Sequence, residues 1–565
     1  MLIVALFCAL TVIGQTNKGG ISGTVQDSNG AAIPGATVTV TNIGTNQSTK
    51  VTTSETGAYS VSSLEPVKYR IVVEMAGFKK SIVESVKVDT ASIANANVIL
   101  ETGTVSESVT ITGDSALLNT ESGTTTQTIN ERQIRDVPLS NRSVLDLALT
   151  APNVTGDAGS EDPDVLSGQP VPGFNLNVNG GRSGSSSILA DGVNNTGVGI
   201  ARSVVSFTPE TVQEFTVQTS AYSAEYGNTG GGVINATTKS GTNDFNGVAL
   251  WYHRNPRFNA LPFTQGNGPR IATNRRYNQV SLTFGGPVIL PTFGIYHDKQ
   301  LYDGHNKTFF FFAYEPRWLR DFVAQPTLVP TDAERAGDFR GLVRTASGLL
   351  PANIAAQFGL ASTGSASIYQ QFTLSNGKLV PIILGTGNQY CQFGDPRFIP
   401  GTQAAPQCTA ATNGAPNAAL NVIPTAFIDP TAPKILAFMP AYSANYFLDG
   451  TGRVENLILQ RFVQQDETRY TLRLDHNFTK NDKVTFRYSK TPAVGVRGFG
   501  SDVNGNNAAY SDAKQYVISD NHIFSPTLIN DLRLTTLVAF SAKTFHLSSR
   551  STAGGTSRLN WDSQV

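Results

Sequence analysis

Gly230, Gly231 and Gly232 stand a few residues before Lys239 and Ser240, in the stretch GGVINATTKSGTNDFNG (231–247). Clustered glycines followed by Lys-Ser are the composition of a loop that cradles phosphate. Such a loop needs a glycine immediately before the Lys-Ser pair, at a fixed offset from an earlier glycine, so that backbone N–H groups converge. Here Thr237 and Thr238 precede Lys239, and the upstream AYSAEYGNTG (221–230) is polar, not a buried strand. Phosphate chemistry fails on spacing. GGRSGS (180–185) fails as a nucleophile elbow, which places its serine between two glycines, each two positions away. The six histidines, His253, His297, His305, His476, His522 and His546, contain no HExxH or HxxxH pair. His297, Asp298, Asp303 and His305 share YHDKQLYDGHNK (296–307), which reads as a solvated turn. No pair of carboxylates stands out as an acid–base couple. The residue pattern therefore predicts no enzyme, no metal site and no cofactor.

The bulk composition bounds the alternatives. Lys plus Arg number 42 and Asp plus Glu 42, so the net charge is zero and nothing suggests a nucleic-acid partner. Charged residues make up 15%, against about 25% in an average soluble chain, which leaves a chain poor in charge and rich in turns. The length of 565 residues suits about three or four domains. Leu2 to Ile13 is an apolar run of signal-peptide length, too short to span a bilayer. Residues 1–15 are expected to be a signal peptide that lacks its basic leading segment. No run of about 18 apolar residues follows, so no helical membrane span is expected. Cys391 and Cys408 flank the Pro- and Gly-rich CQFGDPRFIPGTQAAPQC, and in an oxidising compartment they are expected to form a loop-closing disulfide.

Four textures follow along the chain. Residues 19–101 show short alternating strands punctuated by Asn29-Gly30, Pro34-Gly35 and Thr56-Gly57, the pattern of a small antiparallel β-sandwich. Residues 102–127 are rich in Thr, Ser and Gly and read as a linker. Within it SESVTITG (106–113) contains a short alternating strand. Two readings stand open: an exposed strand that adds to a partner's sheet edge, or the last strand of the sandwich. Residues 128–240 mix short strands and helices with glycine turns, as in a compact α+β domain, with a helix expected after Ser140 or Asn141. From 241 to 565 the segments alternate with strict period two. Tyr470, Leu472, Leu474 and Phe478 fall on one face, and Thr471, Arg473, Asp475 and Asn477 on the other. Val484, Phe486 and Tyr488 oppose Thr485, Arg487 and Ser489, and Leu532, Leu534, Val538 and Phe540 share a face. A soluble sandwich can alternate in the same way. Export without a membrane-spanning helix favours the wall of a membrane β-barrel. About 324–460 is Gly-, Pro- and Ala-rich and reads as a long loop region.

Long motifs carry a family resemblance. The first texture resembles the carboxypeptidase regulatory-like domain through Gly23-Thr24-Val25, Ile33-Pro34-Gly35-Ala36, Thr56-Gly57-Ala58-Tyr59 and Gly77-Phe78. That name denotes an accessory domain, not peptidase chemistry. VPLSNRSVLDLALTAPNV (137–154), VNGGRSGSSSILADGVNN (178–195), PETVQEFTVQTSAYSAEYGNTGGGVINATTKSGTNDFNG (209–247), FGGPV (284–288), DGHNKTFFFFAYEPRW (303–318) and VPTDAERAGDFR (329–340) resemble TonB-dependent outer-membrane receptors of the Oar-like type. The resemblance implies a mainly β chain: an Ig-like or transthyretin-like sandwich, an α+β plug domain at 128–240, and the first part of a large antiparallel transmembrane β-barrel. It implies a plug motif at Asn179, Gly180, Arg182, Asp191, Gly192, Glu214, Phe215, Glu225, Tyr226 and Gly227. It implies a plug–barrel seam at Lys239, Ser240, Gly241, Thr242 and Asn243. Glu107, Val109, Ile111 and Gly113 sit where such receptors carry the strand that contacts TonB. About seven strands can be counted after Gly241, against about 22 in receptors of this kind, and the chain ends LNWDSQV, not on an aromatic strand. The expectation is a barrel that continues beyond this chain.

The functional expectation is a receptor for active uptake of an unidentified extracellular ligand across the Gram-negative outer membrane. Its N-terminal domains would be periplasmic, a TonB-type energy-coupling protein and outer-membrane lipid its partners, and the barrel monomeric. The alternative is an outer-membrane-anchored adhesin or carbohydrate-binding protein that uses the same wall as an anchor.

Overall fold

A computed structural model describes residues 18–103, 108–111, 125–157, 173–197, 202–260, 275–291, 300–345, 348–362, 453–498 and 506–546, apart from 140–141, 174, 223–225, 228, 341 and 526–527. It also describes short stretches between 372 and 448. The expected signal peptide lies outside these residues.

Valine and isoleucine alternate with threonine and lysine in the first strands, so each strand has one face to bury. The sandwich strands are β1 (Gly19–Asp27), β2 (Thr37–Asn42), β3 (Ser48–Thr52), β4 (Ala58–Leu64), β5 (Lys68–Glu74), β6 (Lys80–Lys87), β7 (Ile93–Asn95), β8 (Val98–Leu100) and β9 (Ser108–Ile111). One sheet has the order β4-β1-β7, with β8 also paired to β1; the other has the order β3-β2-β5-β6-β9. Ile21, Val25, Val38, Ile71, Val73 and Leu100 fill the space between them. The strand of the linker is thus an edge strand of the sandwich: β9 runs parallel to β6, from Lys80 opposite Ser108 to Val83 opposite Ile111.

The second unit contains β10 (Thr125–Asn130), the helix α1 (Glu131–Asp136), β11 (Val154–Gly156), β12 (Leu176–Val178), β13 (Ser187–Ala190), β14 (Val193–Asn194), β15 (Val212–Ser220) and β16 (Val233–Thr238). Its main sheet has the order β10-β15-β16-β13-β14, with β13 and β16 parallel. The helix begins where Asn130 and Gln133 satisfy each other's backbone N–H groups, a reciprocal cap that the sequence reading overlooked. The leucines at 145 and 147 form a 3₁₀ turn, Val144–Thr150, capped by Ser143. The expected caps Ser140 and Asn141 lie outside the described residues.

Among the described residues seven long strands follow. They are β17 (Asn246–Arg254), β18 (Arg276–Pro287), β21 (Thr308–Thr327), β30 (Leu457–Asn477), β31 (Asp482–Gly498), β32 (Asn506–Ser525) and β33 (Leu528–His546), antiparallel in that order. Between β18 and β21 lies the small hairpin of β19 (Ile289–Pro291) and β20 (Gln300–Asp303). Among its described residues the connection from β21 to β30 carries four more: β22 (Leu342–Thr345) with β23 (Gly348–Pro351), β24 (Phe372–Ser375) with β25 (Lys378–Pro381), β26 (Asn388–Gln389) with β27 (Cys408–Thr409), and β28 (Phe447–Leu448) with β29 (Val454–Glu455). The β30–β31 and β32–β33 turns lie at the end of the sheet next to the sandwich. The long connection lies at the opposite end. Short periplasmic turns and longer extracellular loops are the arrangement of outer-membrane barrels.

This sheet is inside out by the standard of a soluble protein. Its apolar face is exposed, with Leu534 at 54% and Phe540 at 57% exposure, while Arg317 and Arg487 on the other face are 1% exposed. Exposed large apolar patches are rare on soluble monomers, and unpaired charges are costly to bury. A wall with lipid outside and a polar plug inside satisfies both faces. β30, β31 and β32 have 21, 17 and 20 residues, well beyond the about 9–11 needed to cross a bilayer.

Candidate functional site

The plug is tied to the wall at the tip of one hairpin. Ala190 pairs with Val193, so Asp191-Gly192 is a two-residue turn, and φ is +52° and +74° at its two positions. Positive φ at both is the type I′ requirement that Asp-Gly meets cheaply. The turn thrusts Asp191 at the wall. Its carboxylate accepts from the Thr238 N–H at 2.7 Å and the Thr238 hydroxyl at 2.8 Å. Arg487 Nε lies 2.7 Å from Asp191 Oδ2, and an Arg473 guanidinium nitrogen lies 3.9 Å from Oδ1. Arg473 also donates to the Thr238 carbonyl at 3.0 Å, and Arg533 donates to the Asp191 carbonyl at 3.1 Å. Three arginines from β30, β31 and β33 therefore converge on one plug turn. Arg473 and Arg487 were legible as polar-face residues, but Arg533 was not singled out.

A second tie lies on β21. Glu315 accepts from Thr208, from Thr211 at 3.1 Å and from Ser281 at 2.5 Å. Nearby Arg142 pairs with Glu210 and stacks on Tyr252, its guanidinium 4.0 Å from the ring centre. Gln515 donates to the Asn194 carbonyl at 2.9 Å. Among the described residues the plug core of Leu145, Ile188 and Phe215 takes in two apolar wall residues, Ala513 and Leu537.

The remaining motif residues divide between packing and turns. Asn179 and Gly180 both have positive φ, and Asn179 donates to the Thr219 carbonyl. Arg182 is exposed, and its carbonyl receives the Ser185 N–H. Phe215 is fully buried, and Tyr226 packs with Leu189 and Val233. Among the described residues nothing lies within 4 Å of where a Cβ on Gly227 would stand. Glu214 is buried on the face of β15 that meets the sandwich. Glu107, Gly113, Glu225, His297, Asp298 and Cys391 lie outside the described residues. Cys408 pairs through its backbone with Gln389.

The seam is a crossing of three backbones. A Cβ on Gly241 would stand 2.4 Å from the Phe310 carbonyl oxygen and 2.7 Å from that of Gly286. Lys239 pairs with Glu131 at 2.8 Å, and Ser240 Oγ turns to the Gly241 carbonyl at 3.4 Å. Thr242 bonds the Asp244 carbonyl, and Asn243 and Asn306 exchange two bonds of 2.8 Å. The Lys-Ser pair that suggested phosphate is thus engaged with a helix carboxylate and the turn itself. Among the described residues no group of three or more His, Cys, Asp or Glu could hold a metal ion.

Residues 237–560 match the outer membrane beta barrel domain family, and residues 20–101 match the carboxypeptidase regulatory-like domain family. The chain is 28% identical over 240 residues to the TonB-dependent transporter Oar of Myxococcus xanthus, a match over 40% of this chain and 21% of that protein. Among solved structures it is similar to the outer membrane transporter YddB of Escherichia coli, with 10% identity and a TM-score of 0.34, covering 74% of this chain and 38% of that one. It is also similar to the alcaligin outer membrane receptor FauA of Bordetella pertussis, with 10% identity and a TM-score of 0.33, covering 76% and 50%. The chain thus spans half the length, or less, of each of these relatives.

Proposed function

The chain belongs to the outer membrane beta barrel domain family and lies in the Gram-negative outer membrane, and on that premise we propose that it acts in TonB-dependent uptake of an extracellular ligand. The observation that supports this reading best is the way the plug is held. Among the described residues its ties to the wall centre on charged and hydrogen-bonded groups around Asp191 and Glu315, and two wall residues, Ala513 and Leu537, join its apolar core. Polar groups can exchange partners with water when a plug is pulled, so movement need not expose a broad apolar face. Ligand would enter from the side of the long β21–β30 connection. The relatives named above are transporters or receptors, in keeping with a role other than catalysis.

The handle in this reading is the linker strand, with Glu107, Val109, Ile111 and Gly113 as the contact for a TonB-type protein. β-Strand addition depends on main-chain hydrogen bonds, and proline removes the donor. Full-length protein in detergent is therefore expected to be captured by an immobilised TonB C-terminal domain. Changing Val109→Pro and Ile111→Pro should weaken capture by about tenfold, which is about 1.4 kcal/mol. Wild-type protein that is not captured would sink the coupling reading. Glycan binding without TonB capture would favour a surface anchor instead.

A further inference from the structure

Three turns at one end of the sandwich reach the rest of the molecule. From the β2–β3 turn, the Gly44 carbonyl receives the Asn243 N–H at 2.9 Å, and Gln47 donates to the Asn306 carbonyl. From the β4–β5 turn, Glu65 pairs with Lys483 at 2.9 Å, and at the end of β4 Ser63 Oγ accepts from Asn521 Nδ2 at 2.7 Å. From the β6–β7 turn, the Thr90 N–H donates to Glu214 at 2.7 Å, and its hydroxyl lies 3.3 Å from that of Thr237. The first two turns grip the periplasmic rim of the wall. The third covers the plug strands β15 and β16. Ser63 holds φ at +60°, a conformation a serine adopts at a cost and keeps where its surroundings demand it.

The character of this contact differs from that of the sandwich itself. Among the described residues, the apolar core of the sandwich contains no plug or barrel residue, whereas the plug core extends to Ala513 and Leu537 of the wall. Polar interfaces between domains of one chain resemble transient associations, and relative motion is their default. We propose that the N-terminal sandwich is a detachable stop on the periplasmic face of the plug, and that it must undock before the plug can move. The plug movement belongs to the uptake reading above; the docking stands without it.

The docking contact carries its own pH dependence. Glu214 faces Asp89 and Lys87 of the sandwich beside Thr90 and Thr237, and burial, with Asp89 second, pushes its carboxyl up to about 7. A raised carboxyl pKa favours the docked state at low pH, and that contribution is lost as pH rises to about 7. Glu65 works in the opposite sense. Burial opposes its ionisation, but Lys18, Lys483 and Arg473 outweigh burial and hold it well below its ordinary value of 4.5. Lys18 belongs to the sandwich itself, so only the part supplied by Lys483 and Arg473 of the wall bears on docking; that part is present above 4.5 and is lost as pH falls. Docking is therefore tightest in mild acid.

Ser63→Cys with Asn521→Cys, in full-length protein whose native cysteines are serine, tests the stop directly. Oxidation should close a crosslink visible by gel shift, and reduction should open it. Hydrogen exchange of the β15 and β16 amides, corrected for intrinsic rates, is expected to run about tenfold faster in the reduced form at pH 8 than in the oxidised form. Between pH 5 and 8 that difference should grow, and Glu214→Gln should flatten the growth. No crosslink on oxidation, or equal exchange with the crosslink open and closed, would overturn the proposal. An exchange difference in a protein that TonB does not capture would keep the stop and remove the uptake reading.

Discussion

Replacing Asp191 with alanine is expected to free the plug hairpin from the wall. The carboxylate is the shared anion for Arg487 and Arg473 and the acceptor of two Thr238 bonds. Arg487 is 1% exposed and has no route to water without local opening. Removing one partner of a buried pair leaves the other charge uncompensated and costs about 3–5 kcal/mol. That cost falls on the plug–wall contact, because the Asp191 carbonyl is also the acceptor for Arg533. At about 1.4 kcal/mol per factor of ten, local opening should rise by at least about a hundredfold. Hydrogen exchange of the β13, β14 and β16 amides would report it. Asp191→Asn, which keeps shape and an acceptor, should fall between wild type and Asp191→Ala. Wild-type exchange in the alanine variant would show that the arginines do not depend on this turn.

The two sides of this contact differ in how far the sequence discloses them. Period-two alternation gave the wall strands their faces, since Leu472 and Leu474 point outward and Arg473 and Asp475 inward, as their spacing implies. Alternation identifies a face but not what covers it. Arg473 could have been read as solvent-facing in a soluble sandwich. Its partner Asp191 is far away in sequence, and nothing local to either residue announces the pair. Asp-Gly, by contrast, is a local signal, because a two-residue hairpin demands positive φ at both positions. Apolar Leu145 and Leu147 point to a helix after Ser140 or Asn141, and Val144–Thr150 winds into one of the 3₁₀ type, whereas the α-helix starts earlier, at the reciprocal cap of Asn130 and Gln133. The docking of the sandwich was invisible, since Ser63 at a strand end and Glu65 and Thr90 in turns are ordinary surface residue types. Their partners, Asn521, Lys483 and Glu214, belong to other units of the chain.

Gly241→Ala is expected to be the most disruptive single change at the seam. Its Cβ would meet backbone on both sides: the Phe310 carbonyl oxygen at 2.4 Å, the Gly286 carbonyl oxygen at 2.7 Å and the Phe310 nitrogen at 2.9 Å. Side chains can rotate away from such contacts, but Phe310 and Gly286 are paired to each other in the β18–β21 ladder and cannot. Overpacking a tight site costs about 1–3 kcal/mol even where side chains can yield, so a backbone clash should reach or exceed the upper end. The wall would have to part between β18 and β21, or the chain leave the plug at a different angle. The second course would break the Asn243–Asn306 exchange and, with it, the Asn243 bond to Gly44 of the sandwich. One added methyl would therefore strain all three units of the molecule. Gly227→Ala is the matched control, because among the described residues nothing lies within 4 Å of its Cβ position. The expected result is a loss of folded, membrane-inserted protein for Gly241→Ala and near wild-type yield for Gly227→Ala. Equal yields and equal thermal stability for the two would mean that the seam has room that these backbone positions do not allow.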